Sequence, residues 1–248
     1  MIRSKNPALN EKAFDFAQPA LGAEAMTIQG AVNKTSLLLV LTVLPAVWTW
    51  TRFFATGDPA AVMLWILGGA IGGFVVALVT VFKKEWSPVT APMYAVLEGL
   101  FLGGISAFFE QRFPGIAIQA VSLTFGTLFG LLLAYKSGVI RATENFKLGV
   151  VAATGGIALI YLATMALGFF GISIPHIHES GMIGIGFSLF VVVIAALNLV
   201  LDFDFIERGA EMGAPKYMEW YAAFGLLVTL IWLYVEFLRL LSKLRSRR

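Results

Sequence analysis

Seven long apolar stretches alternate with short polar punctuation along the chain, at 35–54, 60–82, 90–109, 116–135, 148–171, 181–203 and 219–241. Each reaches the roughly 20 residues that an α-helix needs to cross about 30 Å of hydrocarbon. The separators hold the residues that end helices, among them Gly57-Asp58-Pro59, Lys83-Lys84-Glu85 and Arg112-Phe113-Pro114-Gly115. Lipid cannot satisfy an open backbone, so only helices or closed barrels span it, and the period-two alternation of a barrel is missing here. The pattern predicts an all-α membrane protein, a bundle of seven transmembrane helices. Six crossings plus a re-entrant segment are the alternative.

Composition agrees with the pattern. Apolar residues make up 58% and charged residues 13% of the 248, where soluble domains carry about 25% charge. So little polar surface excludes a soluble domain and a disordered chain. Eighteen Lys and Arg, with no basic run in the middle of the chain, speak against nucleic-acid binding. Cysteine is absent, which removes disulfides, thiolate ligands and thiol nucleophiles. Three regions are expected: a polar N-terminal segment over 1–34, a transmembrane domain over 35–241 and a basic tail over 242–248. The first region lacks the apolar core of a signal peptide, so the first apolar stretch is expected to act as a retained signal-anchor.

The loops set an expected orientation. Eleven Lys and Arg fall in the N-terminal segment and the even-numbered loops, against two in the odd-numbered ones, which places the N-terminus in the cytoplasm of a multi-pass cell (inner) membrane protein. Arg239, Lys243, Arg245, Arg247 and Arg248 then fall outside if all seven stretches cross. Small residues spaced by four, at Gly68-Gly69 and Gly72-Gly73, at Gly99 and Gly103, and at Gly126 and Gly130, predict close helix contacts.

Charges inside hydrocarbon cost about 2.5–3.5 kcal/mol each on insertion scales, so those that remain are candidates for function. Glu98 lies about eight residues, or roughly 12 Å, into the third stretch. It serves either as a functional carboxylate or as a neutral one bonded to a neighbouring helix. Asp202 and Asp204 sit at the end of the sixth stretch, turned about 200° from one another on a helix. Asp204 precedes Arg208 by four and suits a surface ion pair. Asp202 follows Asn198 by four, a polar stripe aimed at the bundle interior. Glu236 lies near the end of the last stretch, three residues before Arg239, so both heads can reach the interface or each other.

Catalytic and metal chemistry find little support. His176, His178 and Glu179 fall in one loop without the further ligands of a closed metal site. Ser106, Ser137 and Ser180 lie near glycine, but no histidine within a span could activate them. No enzyme, resident metal or cofactor is expected.

The chain resembles the Bax inhibitor-1/YccA family of small multi-pass proteins, from about Met26 to Leu241. The resemblance rests on Glu98-Gly99 with the following LFLGG and, more strongly, on LVLDFDFIERGAEMGAPKYMEWYAAFG. Asp202 there falls on the family's aspartate at the end of the sixth helix, and Ala210-Glu211, Gly213 and Tyr217 fall on its turn. Asn6-Pro7, Met26 to Gly30 and Asn33-Lys34-Thr35 suggest a bacterial branch with an N-terminal extension. The resemblance implies a pH-sensitive Ca²⁺ leak in which two aspartates, from the sixth and seventh helices, share a proton and hold the pore shut. Close carboxylates cannot both ionise cheaply, and such a pair senses pH. Here the second aspartate's position falls on about Leu227, so either Glu98 supplies the second carboxylate or Asp202 responds alone. The alternative that the YccA branch implies is a non-transporting regulator that binds and restrains a membrane-bound protease or another membrane complex, with the N-terminal segment as docking element. In either case the partner common to both is the lipid bilayer.

Overall fold

The computed structural model describes residues 24–58, 60–170 and 181–247, and these contain seven long helices. They are α1 (Ile28–Thr56), α2 (Ala60–Phe82), α3 (Ser87–Arg112), α4 (Ile116–Lys136), α5 (Glu144–Phe169), α6 (Met182–Glu211) and α7 (Met218–Ser246). All seven are long and apolar enough to cross a membrane. The sequence explains where they begin and end. Thr27 caps α1 by accepting from the Gly30 amide at 2.9 Å, and Thr143 caps α5 through Phe146. Gly57 closes α1 at φ 62°, a left-handed conformation suited to glycine. A single 3₁₀ turn, Lys84–Trp86, joins α2 to α3.

Helices outrun the apolar stretches at both termini of the bundle. The first begins at Ile28 rather than Thr35, and the last continues through Ser246, so residues 28–34 and 242–246 are helical. Each adds polar turns to an apolar rod.

The helices run up and down between two ends. One end carries the start of α1, the 3₁₀ turn, the α4–α5 loop and the α6–α7 turn. The other carries the α1–α2 and α3–α4 turns and the last turns of α7. α7 is the most buried helix and packs against α1, α3, α4 and α6. α5 is the least buried and rests chiefly on α6, and α2 rests on α3. Large apolar side chains such as Leu64, Phe82 and Leu159 point outward, as they do where the surrounding solvent is lipid.

The glycine spacings divide into two groups. On α3, a Cβ at Gly99 would run into the Thr42 carbonyl, and one at Gly103 into the backbone of Ala46, so α1 and α3 meet backbone to backbone. On α2, Gly69 meets the backbone of Leu97 and Phe101. Gly126 and Gly130 on α4 behave otherwise. A Cβ at either meets nothing within 4 Å, so the close contact that their spacing predicts is absent among the described residues. Spacing marks a smooth helix face, while only a neighbour makes it a contact.

This contrast is measurable. Gly103→Leu overpacks the α1–α3 contact at a cost of about 1–3 kcal/mol and lowers the thermal unfolding midpoint in detergent. Gly126→Leu leaves that midpoint near wild type.

Candidate functional site

Two helices bring the intramembrane carboxylates together. Glu98 from α3 and Asp202 from α6 line one cavity of about 730 Å³, walled also by α2 and α7. Asn198, a turn before Asp202, lines it too, so the predicted polar stripe faces inward. No lysine or arginine is among the lining residues.

Each carboxylate has its own setting. A Cβ at Gly73 of α2 would stand 2.7 Å from Glu98 Oε1, so this glycine leaves the room that the Glu98 carboxyl occupies. Tyr94, one turn earlier on α3, is buried beside it and meets the Phe224 ring edge-on at 5.0 Å. Asp202 faces α7, where Thr229 is a neighbour whose hydroxyl donates to the Gly225 carbonyl at 3.3 Å. A Cβ on Gly225, a turn earlier, would lie 3.8 Å from Asp202 Oδ1. Asp202 Oδ2 is buried and has no hydrogen-bond partner among the described residues. Asn198 is itself satisfied, donating to Thr154 Oγ1 and to the Ile194 carbonyl, both at 2.8 Å.

Leu227 is elsewhere. It is buried in a cluster with Leu38, Tyr94, Ala95 and Phe224. The α7 groups that face Asp202 are therefore a hydroxyl and a glycine, and the carboxylate that shares its cavity comes from α3.

The other acidic candidates form ion pairs. Asp204 takes Arg208 at 3.1 Å, as the spacing predicts, and also Lys147 of α5 at 2.7 Å. Lys147 is 5% exposed, so the expected surface pair is one part of a network that ties α5 to α6 and includes Glu144. Glu236 does pair with Arg239, at 2.8 Å, but inside the bundle. It is 1% exposed and accepts a second hydrogen bond from Tyr161 at 2.9 Å. The tyrosine offers a buried donor that sequence spacing does not reveal. Ser106 bonds Tyr234 at 2.6 Å and the Leu102 carbonyl, and Ser137 bonds the Ala134 carbonyl. Both are engaged within or between helices. His176, His178, Glu179 and Ser180 lie outside the described residues.

Glu219, at the start of α7, escapes a search for charges deep in the spans. It is 0% exposed and receives the Thr27 amide and hydroxyl at 2.9 Å, the Lys34 ammonium, and Lys216 at 3.3 Å. The adjacent chain is held as well. Met26 donates to the Ala214 carbonyl at 2.6 Å, Ala25 bridges Pro215, and the Met26 side chain fills the space over Gly209. Residues 25–27 thus strap the α6–α7 turn. The hydrogen bond to Glu219 raises the Lys216 pKa above the ordinary lysine value. One signal was available in the sequence: an acid on the first turn of a helix, eight residues after the end of the ERGAE segment and three after Lys216.

Seven helices, each long and apolar enough to cross a membrane, with two carboxylates lining one cavity between them, define a class, the polytopic membrane protein. The particular family follows from comparison: a family model described as Bax inhibitor 1 like matches residues 6–246, and the chain belongs to that family. No curated protein matches the chain.

Removing the Glu219 acceptor leaves the strap without its anchor. Glu219→Ala is expected to cost about 1–3 kcal/mol and to speed amide hydrogen exchange at Met26 and Thr27, read by mass spectrometry, while exchange in α5 stays unchanged.

Proposed function

We propose that this protein conducts a cation, Ca²⁺ as the first choice, through the cavity between α2, α3, α6 and α7, and that protonation of Glu98 and Asp202 controls it. The observation that carries the reading is the placement of both carboxylates on one cavity that no lysine or arginine lines. A cation entering hydrocarbon loses hydration worth far more than one contact returns, and fixed carboxylates replace part of it. Two carboxylates, rather than a closed ring of ligands, suit transit better than storage, because conduction needs binding weak enough for release. The proton enters as competitor. A neutral carboxyl offers a dipole where an ionised one offers a charge, so the same residues that attract the ion read the pH.

The family's two-aspartate arrangement takes a different form here. On this reading Asp202 supplies one carboxylate and Glu98 of α3 the other, while Leu227 stands at the helix-seven position. Orientation with the N-terminus in the cytoplasm, in the inner membrane, belongs to the same proposal and rests on the Lys and Arg distribution.

The test is Ca²⁺ flux into liposomes that contain only the purified protein, at pH 6 and pH 8. Wild type is expected to differ between the two, Asp202→Asn and Glu98→Gln to lose at least half of that difference, and Glu236→Gln to keep it. Identical pH curves for wild type and Asp202→Asn would sink the proton-sensing role. Absence of flux in pure vesicles would reject conduction, and partner capture that requires residues 1–34 would then favour the regulator of a membrane protease.

A further inference from the structure

The cavity that holds Glu98 and Asp202 is far larger than a bare inorganic ion requires. Its volume of about 730 Å³ falls in the range of small-molecule pockets, roughly 300–1,000 Å³, whose walls are mostly apolar with a few convergent polar groups. Aromatic rings form much of this wall, with Phe74 from α2, Tyr94 from α3, and Tyr221 and Phe224 from α7. We propose that the cavity binds an organic ammonium ion with an apolar body, its cationic head at Glu98 and Asp202 and its body among the rings. The inference goes beyond conduction, since holding an ammonium needs the carboxylates and the rings but no passage.

The charge is complementary. Asp202 Oδ2 is buried without a hydrogen-bond partner among the described residues, and the neighbouring Asn198 amide is already spent on Thr154 Oγ1 and the Ile194 carbonyl. A buried carboxylate without a donor is best answered by a cation. The rings are continuous with the acids. Tyr94 stands one turn before Glu98 and meets the Phe224 ring edge-on at 5.0 Å, and Phe224 in turn meets Tyr221 at 6.3 Å. Phe224 directly precedes Gly225, whose Cβ would lie 3.8 Å from Asp202 Oδ1. Aromatic faces attract ammonium groups through the ring quadrupole, and quaternary ammonium ligands are held this way. The protein uses the same chemistry on itself: the Lys84 ammonium lies 5.4 Å over the centre of the Tyr221 ring.

The wall suits such a ligand better than a resting metal ion. Ca²⁺ takes about six to eight oxygen ligands, whereas most of the surface here is carbon, which gains only when an apolar body covers it. Entry from the bilayer is available. Phe74 and Val81 of α2 line the cavity and are also exposed on the outside of the bundle, so the cavity meets the lipid-facing surface along α2, where amphiphilic amines concentrate.

The experiment uses the purified full-length chain in a neutral detergent at pH 8, with labelled phenyltrimethylammonium and equilibrium dialysis against protein-free micelles as the blank. Saturable binding is expected. Tert-butylbenzene, which has the same shape without the charge, and tetramethylammonium, which has the charge without the ring, should each compete at least tenfold more weakly than unlabelled phenyltrimethylammonium. Asp202→Asn should weaken binding at least tenfold, and Glu144→Gln, whose side chain is exposed at the start of α5, should leave it within twofold of wild type. Should Asp202→Asn fail to fold, Glu98→Gln decides, with at least a threefold loss expected. Equal competition by tert-butylbenzene or by tetramethylammonium overturns the site, as does wild-type affinity in the deciding variant. The outcome separates from that of the flux assay: binding without flux in pure liposomes rejects conduction and keeps this site, whereas flux without saturable binding rejects this site and keeps conduction.

Discussion

Charge that lipid cannot solvate must be answered by the protein itself, and this constraint organises the bundle. Glu219, fully buried, gathers two lysines and the hydroxyl and amide of Thr27. Glu236 gathers Arg239 and Tyr161. Asp204 gathers Arg208 and Lys147. Each cluster joins elements far apart in sequence, because removing one partner of a buried pair leaves an uncompensated charge that costs several kcal/mol, on the order of 3–5. Glu98 and Asp202 are set apart by having no such cation in their cavity.

Apolar contacts do the remaining work, and they do it through shape. Hydrophobicity gives helices little reason to associate in lipid, so close packing carries the association. Gly99 and Gly103 let α1 settle on α3, and Gly69 lets α2 settle on the other side of it. Gly73 belongs to the same stripe as Gly69 but faces a carboxyl group, so one small-residue pattern serves packing at one position and holds open a polar space at the next.

Much of this was legible in the sequence, for definite reasons. Seven helices follow from length and hydropathy. Glu98, Asn198 and Asp202 stand out because a polar residue deep in an apolar stretch has few explanations, and a spacing of four puts Asn198 and Asp202 on one face. That Glu98 shares their cavity depends on how α3 sits against α6 and α7, which no local pattern encodes. Glu236 was harder, since three-residue spacing to Arg239 suits an exposed pair as well as a buried one, and Tyr161 lies 75 residues away. Glu219 sits at a helix start, where acids are ordinary, and its burial comes from a strap 192 residues earlier in the chain. Gly126 and Gly130 carry the small-residue spacing without a partner to receive it.

The clasps on α7 have a mechanical meaning. Its first turn is tied through Glu219 to α1 and its last turns through Lys243 and Arg245 to α6 and the α3–α4 turn. A rod fastened at both ends resists turning about its axis, which sets the register of the Asp202-facing side of α7 at Gly225. The wall opposite is built of Ala70, Phe74, Ala77 and Val81 on α2, whose packing is chiefly on one neighbour, α3. The two walls of the cavity are therefore held by different means: α7 is pinned near both ends by side-chain bonds, whereas α2 keeps its place chiefly through backbone-close packing on α3.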